Sequence, residues 1–245
     1  LFPSVSVGWR VSEEEFFSGV KDFIPNLKLR ASWGLVGNNT VSNFQYMARV
    51  GTGTGYVFND KGMTTAGFST ANEALTWETT RMIDVGVDMA LLKGKLNLTF
   101  DYYSNTTKDI LVGTEPVPGI YGTNNAGAPI NAGKVRTSGW EFSGSYLLQT
   151  GKVNHRFIAS LADTKNKILA LPEDKVVWGA DPKYINQVGY PMGSYYGYRS
   201  NGIFQNNNEV AAGPHTSVPV APGDIRYISK DGNNTIEPDA DYYVL

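Results

Sequence analysis

Strands that alternate strictly between apolar and polar residues, joined by connections of two very different lengths, constrain this chain more than any other feature. Over positions 95–103, Leu96, Leu98, Phe100 and Tyr102 fall on one face; Lys95, Asn97, Thr99, Asp101 and Tyr103 fall on the other. A period of two marks a strand between an apolar and a polar environment. The preceding alternation sets Ile83, Val85, Val87, Met89 and Leu91 against Met82, Asp84, Gly86 and Asp88, and reverses through a tight Leu92-Lys93-Gly94-Lys95 turn. Other connections run to tens of residues. Tight turns at one end and long loops at the other are what a transmembrane β-barrel requires, with apolar residues facing lipid and polar residues facing the lumen. The expected fold is all-β: part of a large transmembrane antiparallel β-barrel with short periplasmic turns and long extracellular loops.

The same design recurs along the 245 residues. Val5, Val7, Trp9 and Val11 alternate with Ser4, Ser6, Gly8 and Arg10. Positions 12–25 suit one helical turn, with Ser12 as N-cap and Glu15 completing a capping box. Leu27, Leu29, Ala31, Trp33 and Leu35 then oppose Asn26, Lys28, Arg30, Ser32 and Gly34. A Gly/Thr/Asn-rich stretch over 37–77 has room for a short hairpin. A second long loop is expected over 113–133. Trp140, Phe142, Gly144, Tyr146 and Leu148 follow it, then a tight Gln149-Thr150-Gly151-Lys152 turn, then Val153, His155, Phe157, Ala159 and Leu161. Trp33, Trp77 and Trp140 are expected toward the long-loop end, as an interfacial aromatic girdle.

Composition excludes several alternatives. Without cysteine there are no disulfides and no thiolate metal sites. A net charge of -2 gives no reason to expect nucleic acid. No apolar run approaches the roughly 20 residues of a spanning helix, so insertion must be as a barrel. The chain opens at Leu1-Phe2-Pro3 directly into a strand and stops as another begins, which reads as an internal piece of a longer polypeptide. A soluble β-sandwich also alternates, and is the competing architecture.

Ordered landmarks add a family resemblance. Phe2-Pro3-Ser4-Val5-Ser6-Val7-Gly8-Trp9-Arg10-Val11-Ser12, Leu27-Lys28-Leu29-Arg30-Ala31-Ser32-Trp33-Gly34 with Gly37-Asn38-Asn39, and Trp77-Glu78 with Asp84-Val85-Gly86-Val87-Asp88 come first. Asp101-Tyr102-Tyr103 with Asp109-Ile110-Leu111, and Val188-Gly189-Tyr190-Pro191-Met192-Gly193-Ser194 through Ile203-Phe204-Gln205, complete the series. Together they resemble the barrel portion of SusC/RagA-family TonB-linked outer-membrane proteins. The resemblance implies a partial receptor barrel over 1–245, with the plug and final strands absent and a long extracellular loop region within 164–245. It implies import of bulky nutrients, oligosaccharides or oligopeptides, across the bacterial outer membrane. The implied partners are a SusD/RagB-like surface lipoprotein and TonB, the latter reached through an N-terminal part not in this sequence.

The chain departs from the family pattern at Ser229-Lys230-Asp231-Gly232-Asn233-Asn234-Thr235-Ile236, where the family often carries an Asp/Asn-rich loop. Asp231 and Asn233, with Glu237 and Asp239 nearby, suit a structural calcium; Ser229 in place of the first carboxylate and Asn234 in place of the turn glycine suit a plain polar turn. No other cofactor is expected. Nor is an enzyme: His155 and His215 lack catalytic surroundings, and Gly51-Thr52-Gly53-Thr54-Gly55 reads as flexible loop rather than phosphate cradle. Asp84, Asp88, Asp101 and Glu141 belong to the lumen face. Trp178, Tyr195, Tyr196 and Tyr198 are the candidate contacts for cargo or partner. In the competing reading, a secreted β-sandwich carbohydrate-binding module, Tyr195, Tyr196 and Tyr198 form a stacking platform for sugars.

Overall fold

The computed structural model describes residues 1–41, 43–48, 50–68, 70–114, 129–179 and 183–245; of residues 51–56, 58, 64–68, 113–114 and 178 it describes the backbone alone. The chain divides into two compact units, Leu1–Pro172 and Glu173–Leu245. The first contains β1 (Ser4–Arg10), β2 (Asn26–Asn38), β3 (Val50–Phe58), β4 (Lys61–Phe68), β5 (Glu78–Leu91), β6 (Leu96–Thr114), β7 (Pro129–Thr150) and β8 (Val153–Ala170).

Six of these strands form one antiparallel sheet in the order β1-β2-β5-β6-β7-β8, while β3 and β4 pair as a separate hairpin. At 19, 22 and 18 residues, β6, β7 and β8 are about twice the 9–11 residues that cross a bilayer. Residues 92–95 close β5 onto β6, and Gly151-Lys152 closes β7 onto β8, with Gly151 at a φ of 62° that carries no Cβ penalty. The β3–β4 hairpin reverses at Asn59-Asp60, both at positive φ, as a two-residue hairpin turn of the favoured hand demands. That turn makes the 51–55 Gly/Thr run the body of β3, correcting the flexible loop expected there.

Register sorts the two faces. Across β1, β2, β5, β6, β7 and β8, the pairings Val7↔Ala31, Ala31↔Val85, Val85↔Tyr102 and Tyr102↔Trp140 run in one line, and Trp9↔Leu29, Leu29↔Val87, Val87↔Phe100, Phe100↔Phe142 and Phe142↔Leu161 in the next. Val7, Leu29, Val85, Phe100 and Leu161 on this face are all exposed, so no second sheet buries them. A sandwich buries such a face as its core, and the sandwich alternative fails on that point.

The apolar field ends in a staircase rather than along one line. On the loop side the first polar residue of this face is Arg81 on β5, Ser104 on β6, Ser138 on β7 and Asp163 on β8. From Arg81 to Asp163 the boundary drops four residues across three strand pairings. With about 3.4 Å per residue and about 4.8 Å between strands, its slope is roughly 40–45°, the tilt of strands crossing a membrane as a barrel. Trp140 and Tyr102 sit on the last apolar step of their strands, Trp33 pairs with Ile83 on the last step of β5, and Trp77 immediately precedes β5.

The opposite face is polar and cross-braced. Arg30 on β2 donates from Nε to Asp88 Oδ2 on β5 at 2.9 Å and pairs through Nη2 with Asp101 Oδ1 on β6, also at 2.9 Å. Thr99 Oγ1 donates to the same Asp88 at 3.3 Å. Gly86 lies between Arg30 and Asp101 in register. A Cβ there would overlap Asp101 Oδ1 and approach Arg30 Nη2 to 2.9 Å. Glycine at this position is what lets the cation and carboxylate close across the strand between them. Asp84 and Glu141 lie on the same face, so all four expected lumen carboxylates share it.

Two local expectations fail. Residues 11–13 and 15–20 form short 3-10 turns without side-chain caps, and Ser12 is buried inside the first with its hydroxyl unpaired. The carboxylate that reaches back is Glu14, accepting from Trp9 Nε1 at 2.8 Å, so no Ser12–Glu15 capping box forms. β8 runs to Ala170, inside the 164–245 stretch expected to include a long loop region. The expected 113–133 loop is shortened by β6 and β7; its residues 115–128 lie outside the described residues.

Replacing Gly86 with alanine in the full-length protein should displace the Arg30–Asp101 pair and cost about 1–3 kcal/mol, as overpacking does. The temperature at which the folded barrel band converts to the unfolded band on a gel should fall. An unchanged temperature would mean that the pair does not close over Gly86.

Candidate functional site

The second unit carries all the candidate contact residues. Its strands are β9 (Lys175–Trp178), β10 (Lys183–Gln187), β11 (Ser194–Tyr198), β12 (Ser200–Ile203), β13 (Ile225–Tyr227) and β14 (Tyr242–Val244), with one short helix, α1 (Asn207–Ala212). β14, β11, β10 and β9 form an antiparallel sheet in that order; β12 and β13 pair separately. Ile185, Phe204 and Ile236 are buried apolar side chains of this unit. Asn206 starts α1 by accepting from the Glu209 backbone N–H at 3.0 Å.

Alternation along β11 divides the tyrosine run. Tyr195 is 56% exposed and its ring lies 5.3 Å from that of Tyr184 on β10. Backbone register sets Tyr184 opposite both Tyr195 and Trp178, so Trp178, Tyr184 and Tyr195 share one cross-strand row. The Trp178 side chain lies outside the described residues. Tyr196 and Tyr198 point to the other face. Tyr196 is only 7% exposed, and its hydroxyl donates to the Asp239 carbonyl at 3.1 Å. Tyr198 packs against Tyr227 at 4.9 Å and edge-on against Tyr242 at 4.6 Å. The three tyrosines therefore do not form one stacking platform: two build the unit and one is presented to solvent. Tyr184, which completes the outward pair, escaped the sequence reading because a five-residue strand shows too little alternation to assign a face.

Cations close the inner cluster. Lys183 Nζ lies 4.8 Å from the Tyr242 ring centroid and 3.1 Å from Asp239 Oδ1. The bond to Asp239 raises the Lys183 pKa. Burial, and then the neighbouring Tyr242, push the Tyr198 phenol up to about 12.

The Asp231 loop is built from its own side chains. Asp231 accepts from the Asn233 backbone N–H at 3.0 Å, Asn233 Nδ2 at 2.6 Å and the Ser229 hydroxyl at 2.8 Å. The Asn233 backbone bond, followed by the Ser229 hydroxyl, holds the Asp231 carboxyl below the usual carboxylate range. Asn233 Oδ1 in turn accepts from Thr235 N at 2.7 Å. Glu237 is not gathered to this turn: its backbone N–H goes to Asp241 Oδ2 at 2.8 Å, while Lys230 N donates to Asp241 Oδ1 at 2.6 Å. Asp241, 1% exposed, ties both ends of the loop to the start of β14. Among the described residues no three His, Cys, Asp or Glu converge to hold a metal ion. His215 joins this loop through its backbone, donating N–H to the Asn234 carbonyl and accepting from Ile236 N.

A family model described as TonB dependent receptor-like, beta-barrel, matches residues 1–245. The chain belongs to this family. Its members are transporters and receptors, not enzymes. The chain is similar to TonB-dependent receptor P3 of Formosa agariphila, at 30% identity over 96% of the chain and 24% of the relative. It is also similar to TonB-dependent receptor SusC of Bacteroides thetaiotaomicron, at 28% identity over 96% of the chain and 24% of the relative. Among solved structures, the RagAB peptide importer in its open-open state superposes on the whole chain with a TM-score of 0.75 at 20% identity, covering 25% of that chain. That match supports the fold. The chain spans about a quarter of the length of these relatives. A membrane barrel sets an apolar face against lipid and a polar face toward its lumen and joins strands by short periplasmic turns; the exposed apolar face, the Arg30–Asp88–Asp101 face and the tight turns at 92–95 and Gly151-Lys152 match that pattern.

A raised tyrosine pKa favours folding while the phenol is protonated. That contribution is complete below the ordinary value near 10 and is lost as pH climbs through about 12. The second unit should therefore loosen between these values, followed by protease sensitivity of residues 173–245. Tyr198→Phe should remove this component of the pH dependence; an unaltered profile would place Tyr198 outside the aromatic cluster.

Proposed function

We propose that this chain supplies wall and extracellular mouth to a TonB-dependent importer of the bacterial outer membrane. The observation that carries the reading is the tilted, exposed apolar band over a sheet whose other face is charged and cross-braced. Such a sheet suits lipid on one side and water on the other. The cargo is a bulky nutrient, an oligosaccharide or an oligopeptide. The relatives named SusC and RagAB favour a SusD/RagB-like surface lipoprotein as the partner at the mouth. Energy comes from TonB, acting on a part of the protein outside this sequence.

Loops on a rigid scaffold are where binding concentrates. Within the second unit, the outward Tyr184–Tyr195 pair, in register with Trp178, is the surface we assign to cargo or lipoprotein, while Tyr196 and Tyr198 hold that surface in place. Asp231 and Asn233 act as a self-closed turn rather than as ligands of calcium.

The 206–221 segment offers a clean test. Its base is tied by Phe204 N donating to the Asp224 carbonyl at 3.0 Å and Gly223 N donating to the Phe204 carbonyl at 2.7 Å. A short glycine bridge in the full-length protein should leave β12–β13 and barrel assembly intact. Lipoprotein co-purification and nutrient uptake should both fall. Uptake and complex formation at the original level would show that this segment is a spacer.

A further inference from the structure

Above the apolar staircase, the lipid-facing side carries an unneutralised basic row that starts next to the boundary on β5 and climbs away from it toward β8. Arg81 on β5, Thr106 on β6, Arg136 on β7 and Lys167 on β8 are consecutive partners in register. All three cations are exposed, whereas Thr106, flanked by the two arginines, is buried. Lys165 lies two residues below Lys167 on the same face, and Lys108 two residues above Thr106. The acids in reach are weakly engaged: Asp163 stands 3.8 Å from Lys165, and Asp109 3.4 Å from Lys108, both at exposed positions. Arg81, Arg136 and Lys167 make no ion pair among the described residues.

This arrangement is unfavourable by itself. Arg136 and Lys167 are directly opposite on neighbouring strands, where side chains start about 4.5–5.5 Å apart and like charges repel. The polar face of the same sheet shows the contrasting solution, a cation set between two carboxylates. On the outer face the missing counter-charge must come from the surroundings. The row lies one alternate position beyond the last apolar residue on β5 (Ile83), two on β6 and β7 (Tyr102 and Trp140) and three on β8 (Leu161), and what surrounds these levels is the headgroup layer of the leaflet on the loop side.

We propose that the row Arg81–Arg136–Lys167 binds the phosphate groups of outer-leaflet lipid, an anionic phosphorylated glycolipid of the lipopolysaccharide kind. This rests on the outer-membrane reading above. Guanidinium forks donate paired N–H bonds to phosphate oxygens, and Lys167 adds a point charge beside Arg136. The contact anchors the barrel at a fixed height and screens the opposed cations.

The test uses the full-length protein in nanodiscs of zwitterionic phospholipid doped with either lipopolysaccharide or its dephosphorylated form, with bound glycolipid counted by native mass spectrometry. The wild-type barrel should retain the phosphorylated form preferentially. Arg81→Gln/Arg136→Gln/Lys167→Gln, which removes three surface cations, should lower that retention by about tenfold or more. Lys93→Gln/Lys95→Gln at the short-turn end should leave it unchanged. Should the triple variant not assemble, Arg136→Gln/Lys167→Gln carries the same expectation, since it removes a repulsive pair. An assembled barrel that retains both glycolipids equally, or a charge-stripped variant that retains as much as wild type, would overturn the proposal. Absence of the wild-type chain from the outer-membrane fraction would instead contradict the importer reading.

Discussion

A slip of one residue between any two of the six sheet strands would move Leu98 and Phe100 to the lumen and Asn97 and Asp101 into lipid. Side chains alternate with a period of two, so register is all that separates a barrel wall from an insoluble sheet. The ladder from β2 to β5 is continuous over every residue of Asn26–Asn38, and that from β5 to β6 over Thr79–Leu91. Two devices hold it. Short turns at residues 92–95 and Gly151-Lys152 fix the periplasmic ends. Arg30, reaching Asp88 and Asp101 across Gly86, locks β2, β5 and β6 from the lumen side. Ion pairs at such partly exposed positions add little net energy, but a wrong register would leave these charges unpaired.

The second unit solves a different problem. Its strands are three to five residues long, too short to be stable by pairing alone. It relies instead on buried Ile185, Phe204 and Ile236, on rings converging around Tyr242, and on Asp241 accepting two backbone N–H groups. A compact scaffold of this kind presents Tyr195 and Tyr184 on one surface while its other tyrosines hold the interior.

What was readable from sequence follows the length of each alternation. The faces of β2, β5 and β6 could be assigned residue by residue, although the strands run several residues past the expected alternation at their loop ends, because long strands between lipid and water repeat the same contrast many times. The lumen carboxylates followed from the same contrast. The helical turn at Ser12 misled because local capping rules were outweighed by the Trp9–Glu14 contact and the burial of Val11 and Ser12. The 51–55 run misled because glycine and threonine give no apolar contrast, so its strand pairing depends on the Asn59-Asp60 turn. In the tyrosine run, residue type identified an aromatic site but not which rings face outward; that depends on pairing partners tens of residues away, such as Asp239 and Tyr242.

The most direct test of this account is a spin-label scan of the loop-side boundary in the full-length barrel, comparing collision with oxygen dissolved in lipid and with a water-soluble nickel complex. Labels replacing Ile83, Tyr102, Trp140 and Leu161 should favour oxygen, and labels replacing Arg81, Ser104, Ser138 and Asp163 should shift toward nickel. The crossover should fall along the strands with the roughly 40–45° slope of a tilted wall. Nickel access at Val85, Val87, Leu98 and Phe100, with oxygen access at Asn97 and Thr99, would contradict the register and the membrane assignment built on it.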